Sequence, residues 1–210
     1  ADSDTLSFER LAAGSPSVIS YEVVTIDDAT VQSGVQSVPG VTTSTNISVV
    51  NLDNAFIVAH AASDNSALSL RQVQASFNGD STVQLDRESN TTGAPLVSWY
   101  VVEIPRYVVQ ELDSGFTSTQ VVQQTVTTFD ETKSWLIGSS QNAGGGTDNG
   151  NAKFTIALPE PKGAVWERRK ETTSNNTQVI AYLIDMAPPA GEWNASDWPN
   201  RTAITIDHTH

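Results

Sequence analysis

A hairpin pattern is written three times along this chain of 210 residues. The first copy is Leu6-Ser-Phe-Glu-Arg10 followed by Val18-Ile-Ser-Tyr-Glu-Val-Val-Thr-Ile26. The second is Val83-Gln-Leu-Asp-Arg87 followed by Leu96-Val-Ser-Trp-Tyr-Val-Val-Glu-Ile104. The third is Ala164-Val-Trp-Glu-Arg168 followed by Gln178-Val-Ile-Ala-Tyr-Leu-Ile-Asp-Met186. Each has a large apolar residue, an acid and an arginine, then a loop, then an apolar strand closing on Ile or Met. Internal repetition constrains architecture before any local propensity does. The segments ahead of the second and third copies have no counterpart ahead of the first, so the sequence is expected to open partway through a repeat.

Two full units then run from about Thr30 to Ile104 and from about Arg106 to Met186. Short runs rich in Val and Thr, bounded by Gly, Pro, Asn and Asp, give about six strands in each. They are expected near 30–38, 45–51, 55–62, 70–77, 82–88 and 96–104, with equivalents near 106–112, 119–128, 133–140, 152–158, 164–170 and 178–186. Ser and Thr together number 46, a composition suited to half-exposed strands. No stretch carries a convincing helical period.

The expected fold is all-β: two tandem antiparallel β-sandwich-like units with an additional N-terminal hairpin and C-terminal strand. The implied division is 1–28 (half-repeat hairpin), 29–105 (unit 1), 106–187 (unit 2) and 188–210 (a Trp/Pro segment and a terminal strand at 202–206). Setting Asn51–His60 against Thr128–Ile137 pairs the acidic turns at Asp53 and Asp130. It also places His60 opposite Ile137, as a packed core histidine.

An isolated hairpin is marginal in water and leaves open edges. The copy at 6–26 therefore needs completing, either by the body of its own subunit or by strand addition to a neighbour. The second route makes the chain a partner of its own copies, in a homo-polymer or homo-oligomer. The residues expected at that joint are Phe8, Arg10, Val18, Tyr21 and Val23 in the hairpin, with Trp193, Trp198 and Ile204 sealing it.

The remaining signals exclude more than they nominate. A net charge of −13, with 11 basic residues and no basic face, excludes a nucleic-acid binder, which needs clustered Lys and Arg. No apolar run reaches the roughly 18 residues of a membrane span. With no cysteine there is no thiol nucleophile, Cys-based zinc site or disulfide. No spacing nominates a general acid and base or a phosphate loop, so the chain reads as a non-enzyme without cofactor.

The arginine of each hairpin shares a strand face with an apolar residue and reads as scaffold, its stem laid over that face and its head paired with an acid. The glycine-rich segment Gln141–Asn151 reads as an insertion in the second unit. In it, Asp148, Asn149 and Asn151 offer hard oxygens for calcium, against the alternative of a plain hairpin tip. Trp193 and Trp198, flanked by Asn and Asp, suit an interface anchor, a cap on the last sandwich, or glycan stacking. Asn-x-Ser/Thr sites at Asn46, Asn90, Asn175, Asn194 and Asn200 favour an exported, glycosylated protein.

The pair Val83-Gln-Leu-Asp-Arg87 and Val97-Ser-Trp-Tyr-Val-Val-Glu-Ile104 resembles repeated β-modules of uncharacterised phage-associated virion and bacterial surface proteins. In those a short strand ending in Asp/Glu-Arg leads to a Trp-x-Val-Val-Glu strand. The likeness extends over both full units and the half unit, except that Ala181 stands where Trp99 does. It implies a structural module on a cell exterior or in a virion. The function expected is thus a non-enzymatic, self-assembling subunit of an extracellular filament, with a virion structural protein (tail, fibre or decoration) and a glycan-binding adhesin as alternatives.

Overall fold

The computed structural model describes residues 26, 28–62, 72–88, 93–116, 121–127, 129–130, 133–143, 154–157, 164–168 and 176–186. Twelve strands and one 3-10 turn lie in these residues. The first six are β1 (Thr30–Ser37), β2 (Thr42–Asn46), β3 (Ala55–Ala62), β4 (Gln74–Phe77), β5 (Thr82–Asp86) and β6 (Leu96–Glu103), with the 3-10 turn at Leu52–Asn54. The second six are β7 (Val108–Phe116), β8 (Val121–Gln124), β9 (Ser134–Ala143), β10 (Phe154–Ala157), β11 (Ala164–Arg168) and β12 (Asn176–Asp185).

They form four three-stranded antiparallel sheets. Sheet I has the order β1-β6-β3 and sheet II the order β2-β5-β4. Sheet III, β7-β12-β9, and sheet IV, β8-β11-β10, repeat the same topology with every strand number raised by six. The tandem all-β architecture read from the sequence is thus the architecture of the described residues.

Alternation explains how unit 1 closes. On β6, Val97, Trp99 and Val101 point inward and are buried against Val83 and Leu85 of β5. The sheets take small and large residues at facing positions. Gly34 of β1 sits opposite Trp99 of β6, and in the second unit Leu112 of β7 sits opposite Ala181 of β12. The large residue has changed strands between the repeats while the pair still fills one slot.

Several boundaries differ from the sequence expectation. β2 occupies Thr42–Asn46 rather than 45–51. Beyond it Ile47 N–H still donates to the Ser81 carbonyl at 2.9 Å, and the Gln32 side chain holds the backbone of Ser48: Ser48 N–H donates to Gln32 Oε1 at 2.7 Å, and Gln32 Nε2 donates to Ser48 C=O at 3.0 Å. The second unit repeats part of this device, with Thr127 N–H donating to Gln110 Oε1 at 2.8 Å. β7 and β9 run further than expected, to Phe116 and Ala143, because β12 pairs along the full length of both.

The repeat alignment also needs correcting. His60 faces Ser98 on β6, and Ser139 faces Ile180 at the matching place on β12, so the counterpart of His60 is Ser139 and not Ile137. His60 is exposed rather than packed in the core. The same shift of two residues sets Asn51, not Asp53, against Asp130. Both accept a turn hydrogen bond three residues on, from Asn54 N–H and from Lys133 N–H, each at 3.0 Å.

Candidate assembly interface

The edge strands β3 and β4 lie side by side and leave one flank of the first sandwich open. Sheet III closes it. Ile180, Tyr182 and Ile184 of β12 and Val109 of β7 are buried in the same apolar cluster as Phe56, Ala75, Val83 and Leu85 of unit 1. Trp135 and Ile137 of β9 pack against that cluster. The other face of sheet III, with Leu112, Val179, Ala181 and Leu183, belongs to a second cluster with Val126 and Phe129. β12 is therefore buried on both faces, which is why its sequence is a continuous apolar run and not an alternation.

Specific contacts fix the joint. Phe77 meets Tyr182 edge-on at 6.1 Å between ring centroids, and Phe56 meets Trp135 edge-on at 5.8 Å. The open backbone of β4 is met by a side chain, with Ala75 N–H donating to Ser139 Oγ at 3.0 Å. Asn54 Nδ2 donates to the Tyr107 carbonyl, tying the 3-10 turn to the connection between the units.

Burial pushes the Tyr182 phenol well above its ordinary pKa, and the neighbouring Glu111 carboxylate adds to the shift. Burial likewise raises the Glu111 carboxyl, and Asp113 adds to it. The hydroxyl stops short of full hydrogen-bond geometry with any partner. Tyr182 thus acts as a packed ring that stays protonated.

The equivalent face of sheet I is open along β1 and part of β6, while toward β3 Phe56 is buried against Trp135 and Val58 and Val102 pack against the first cluster. Cross-strand pairing places Val31 and Val35 of β1, Leu96 and Tyr100 of β6, and Val58 and His60 of β3 on one side of that sheet. Tyr100, the counterpart of Tyr182, is 48% exposed where Tyr182 is 1%. Val31, the counterpart of Val109, is 57% exposed where Val109 is 6%, and Val35 and Leu96 stand at 63% and 51%. A cluster of exposed apolar residues, here with the uncharged Ser33 and Ser98 among them, marks an interaction surface more than scattered apolar residues do.

Arg87 is scaffold, held through its guanidinium by backbone carbonyls. Only 1% exposed, it lies in the interior and donates to the carbonyls of Pro39, Gly40 and Gly93 at 3.1, 3.1 and 2.6 Å. It joins the β1–β2 turn to the loop before β6, and loss of solvent lowers its pKa.

Most site residues expected from the sequence lie outside the described residues. These are Phe8, Arg10, Val18, Tyr21, Val23, Trp193, Trp198 and Ile204 of the joint, the calcium candidates Asp148, Asn149 and Asn151, and the sequons at Asn90, Asn175, Asn194 and Asn200. Asn46 is described, and is exposed at the end of β2.

Among the described residues, no group of three or more His, Asp or Glu side chains is placed to hold a metal ion. Nor is any helix there long and apolar enough to cross a membrane. The exposed part of the sheet I face was not anticipated. Its signal was Tyr100, an aromatic at an outward position of the strand, matched by a second tyrosine at the same place in the other repeat. No protein-family model, curated protein or solved structure matches the chain.

Proposed function

We propose that this chain is a non-enzymatic, self-assembling structural subunit of an extracellular filament, polymerising by addition of its N-terminal hairpin to a neighbouring subunit. One observation carries the reading. The strands whose sequence recurs at 6–26 are the central strands of every sheet: β5 between β2 and β4, β6 between β1 and β3, β11 between β8 and β10, and β12 between β7 and β9.

A sequence made for the middle of two sheets carries hydrogen-bonding groups on both edges of both strands, and each needs a partner. A neighbouring subunit supplies those partners through backbone ladders. Tyr21 and Val23 align with the buried Trp99 and Val101, and on this reading they set the register. An extracellular setting is supported by Asn46, whose exposed position in Asn-Ile-Ser is open to a glycan.

Deleting residues 1–26 tests the reading. The full chain should form polymers by sedimentation velocity, and the truncated chain should remain folded by circular dichroism yet sediment as a monomer. Assembly of the truncated chain into the same particle would overturn the strand-addition mechanism.

A further inference from the structure

We propose that the exposed part of the outer face of sheet I, along β1 and β6, is a docking surface for a second copy of this chain, which presents its edge strands β9 and β10. The joint would copy the one inside the chain, where sheet III closes the β3–β4 flank. The inference rests on the self-assembly reading above and supplies it with a second, side-chain-built contact.

The argument is one of equivalence. Within the chain, the flank of one unit is covered by the outer sheet face of the next. The face equivalent to that cover exists on unit 1, and the repeated strand order makes β9 and β10 the counterparts of β3 and β4 in unit 2. Tyr100 stands where Tyr182 plugs the joint, Val58 where Ile137 does, and Val31 where Val109 does.

The free face is also better suited to burial than the one already buried. β7 carries Glu111 and Asp113 at the two positions that β1 fills with Ser33 and Val35. A chain of net charge −13 repels its own copies at long range, so a stable contact needs an uncharged patch. This face holds neither Asp nor Glu. Because donor and acceptor surfaces differ, the contact is heterologous, and it extends as an open line of subunits where its rotation does not close a ring.

Register identifies a reporter pair. Ala75 faces Leu85 on β5, and Ile156 faces Trp166 at the same place on β11, so Ile156 is the counterpart of Ala75. His60 is the counterpart of Ser139. The internal contact of Ala75 with Ser139 therefore maps onto Ile156 of one copy and His60 of the next. The chain has no cysteine of its own, which leaves engineered pairs unambiguous.

The double variant Ala75→Cys, Ser139→Cys serves as the internal standard and should oxidise to a disulfide within one chain. The double variant His60→Cys, Ile156→Cys should oxidise to a ladder of dimers, trimers and longer species on a non-reducing gel. Either single variant should give no ladder. Adding Tyr100→Asp, at an exposed position that leaves the fold intact, should cut the ladder about tenfold, the effect of about 1.4 kcal/mol at the joint. Raising the salt concentration should strengthen the ladder by screening the repulsion.

If the internal standard oxidises while the His60/Ile156 pair stays monomeric, and the cysteine-free chain still polymerises, the docking surface is wrong and self-assembly stands. If the cysteine-free chain sediments as a monomer at every concentration and salt, both fall. A His60–Ile156 disulfide formed inside a single chain would also overturn the proposal.

Discussion

The slot shared by Gly34 and Trp99 offers a test of the repeat as a packing solution. A Cβ added at Gly34 would sit 2.5 Å from Cζ2 and 2.8 Å from Cε2 of Trp99, inside any real contact distance. The indole cannot swing away, because Trp99 is buried within the first core cluster. Gly34 is not among the residues with positive φ, so the backbone itself accepts a side chain.

Gly34→Leu in the natural background is therefore pure overpacking and should cost about 1–3 kcal/mol. Trp99→Ala empties the slot and should cost about 3–5 kcal/mol. The combination Gly34→Leu, Trp99→Ala recreates the arrangement of Leu112 and Ala181 in the second unit, and should be more stable than Trp99→Ala alone. The leucine thus changes sign with its background, a coupling of at least about 1 kcal/mol.

Urea denaturation followed by far-ultraviolet circular dichroism measures all four corners of the cycle, and avoids reliance on the tryptophan signal being removed. A destabilising effect of Gly34→Leu of the same size in both backgrounds would refute the exchange of large and small residues between strands.

Other consequences can be checked in the same assay. Arg87→Lys keeps the charge but cannot reach three carbonyls with one planar fork, and should lower stability by about 2–4 kcal/mol. Gln32→Ala removes both bonds to Ser48 and should cost about 1–2 kcal/mol, with faster amide exchange at Ser48 than at the strand residues around it. Glu111 has a raised folded-state pKa, so its favourable contribution is full below the ordinary carboxylate value of about 4.3 and is lost as pH rises through the folded value. Glu111→Gln should then stabilise the chain at pH 7, by under about 1 kcal/mol because the side chain is partly solvated, and make no difference at pH 3. A stabilisation that persists at pH 3 would remove the carboxyl as its cause.

Strand number and order of the units were legible because period-two alternation and turn residues act locally, and because one unit checks the other. β6 shows the limit of that logic. Val97, Trp99 and Val101 announce a buried face, but nothing in the strand itself says whether Leu96 and Tyr100 meet water or protein. Only the burial of Tyr182 at the matching place gives that position a meaning.

β2 lies at Thr42–Asn46 because that is where β5 pairs with it, and a partner about forty residues away leaves no trace in the strand's own sequence. The alignment slipped by two residues at His60 because Asp53 and Asp130 look alike as letters, whereas the turn hydrogen bonds pair Asn51 with Asp130. Arg87 was legible as scaffold from its recurrence, but its three carbonyl partners lie in loops far apart in sequence.

The central claim is that the chain joins copies of itself. Negative-stain electron microscopy of the purified full chain, with sedimentation velocity on the same sample across salt concentrations, tests it most directly. The account predicts linear polymers that lengthen as salt screens the acidic surface. A uniform monomer under every condition would contradict it.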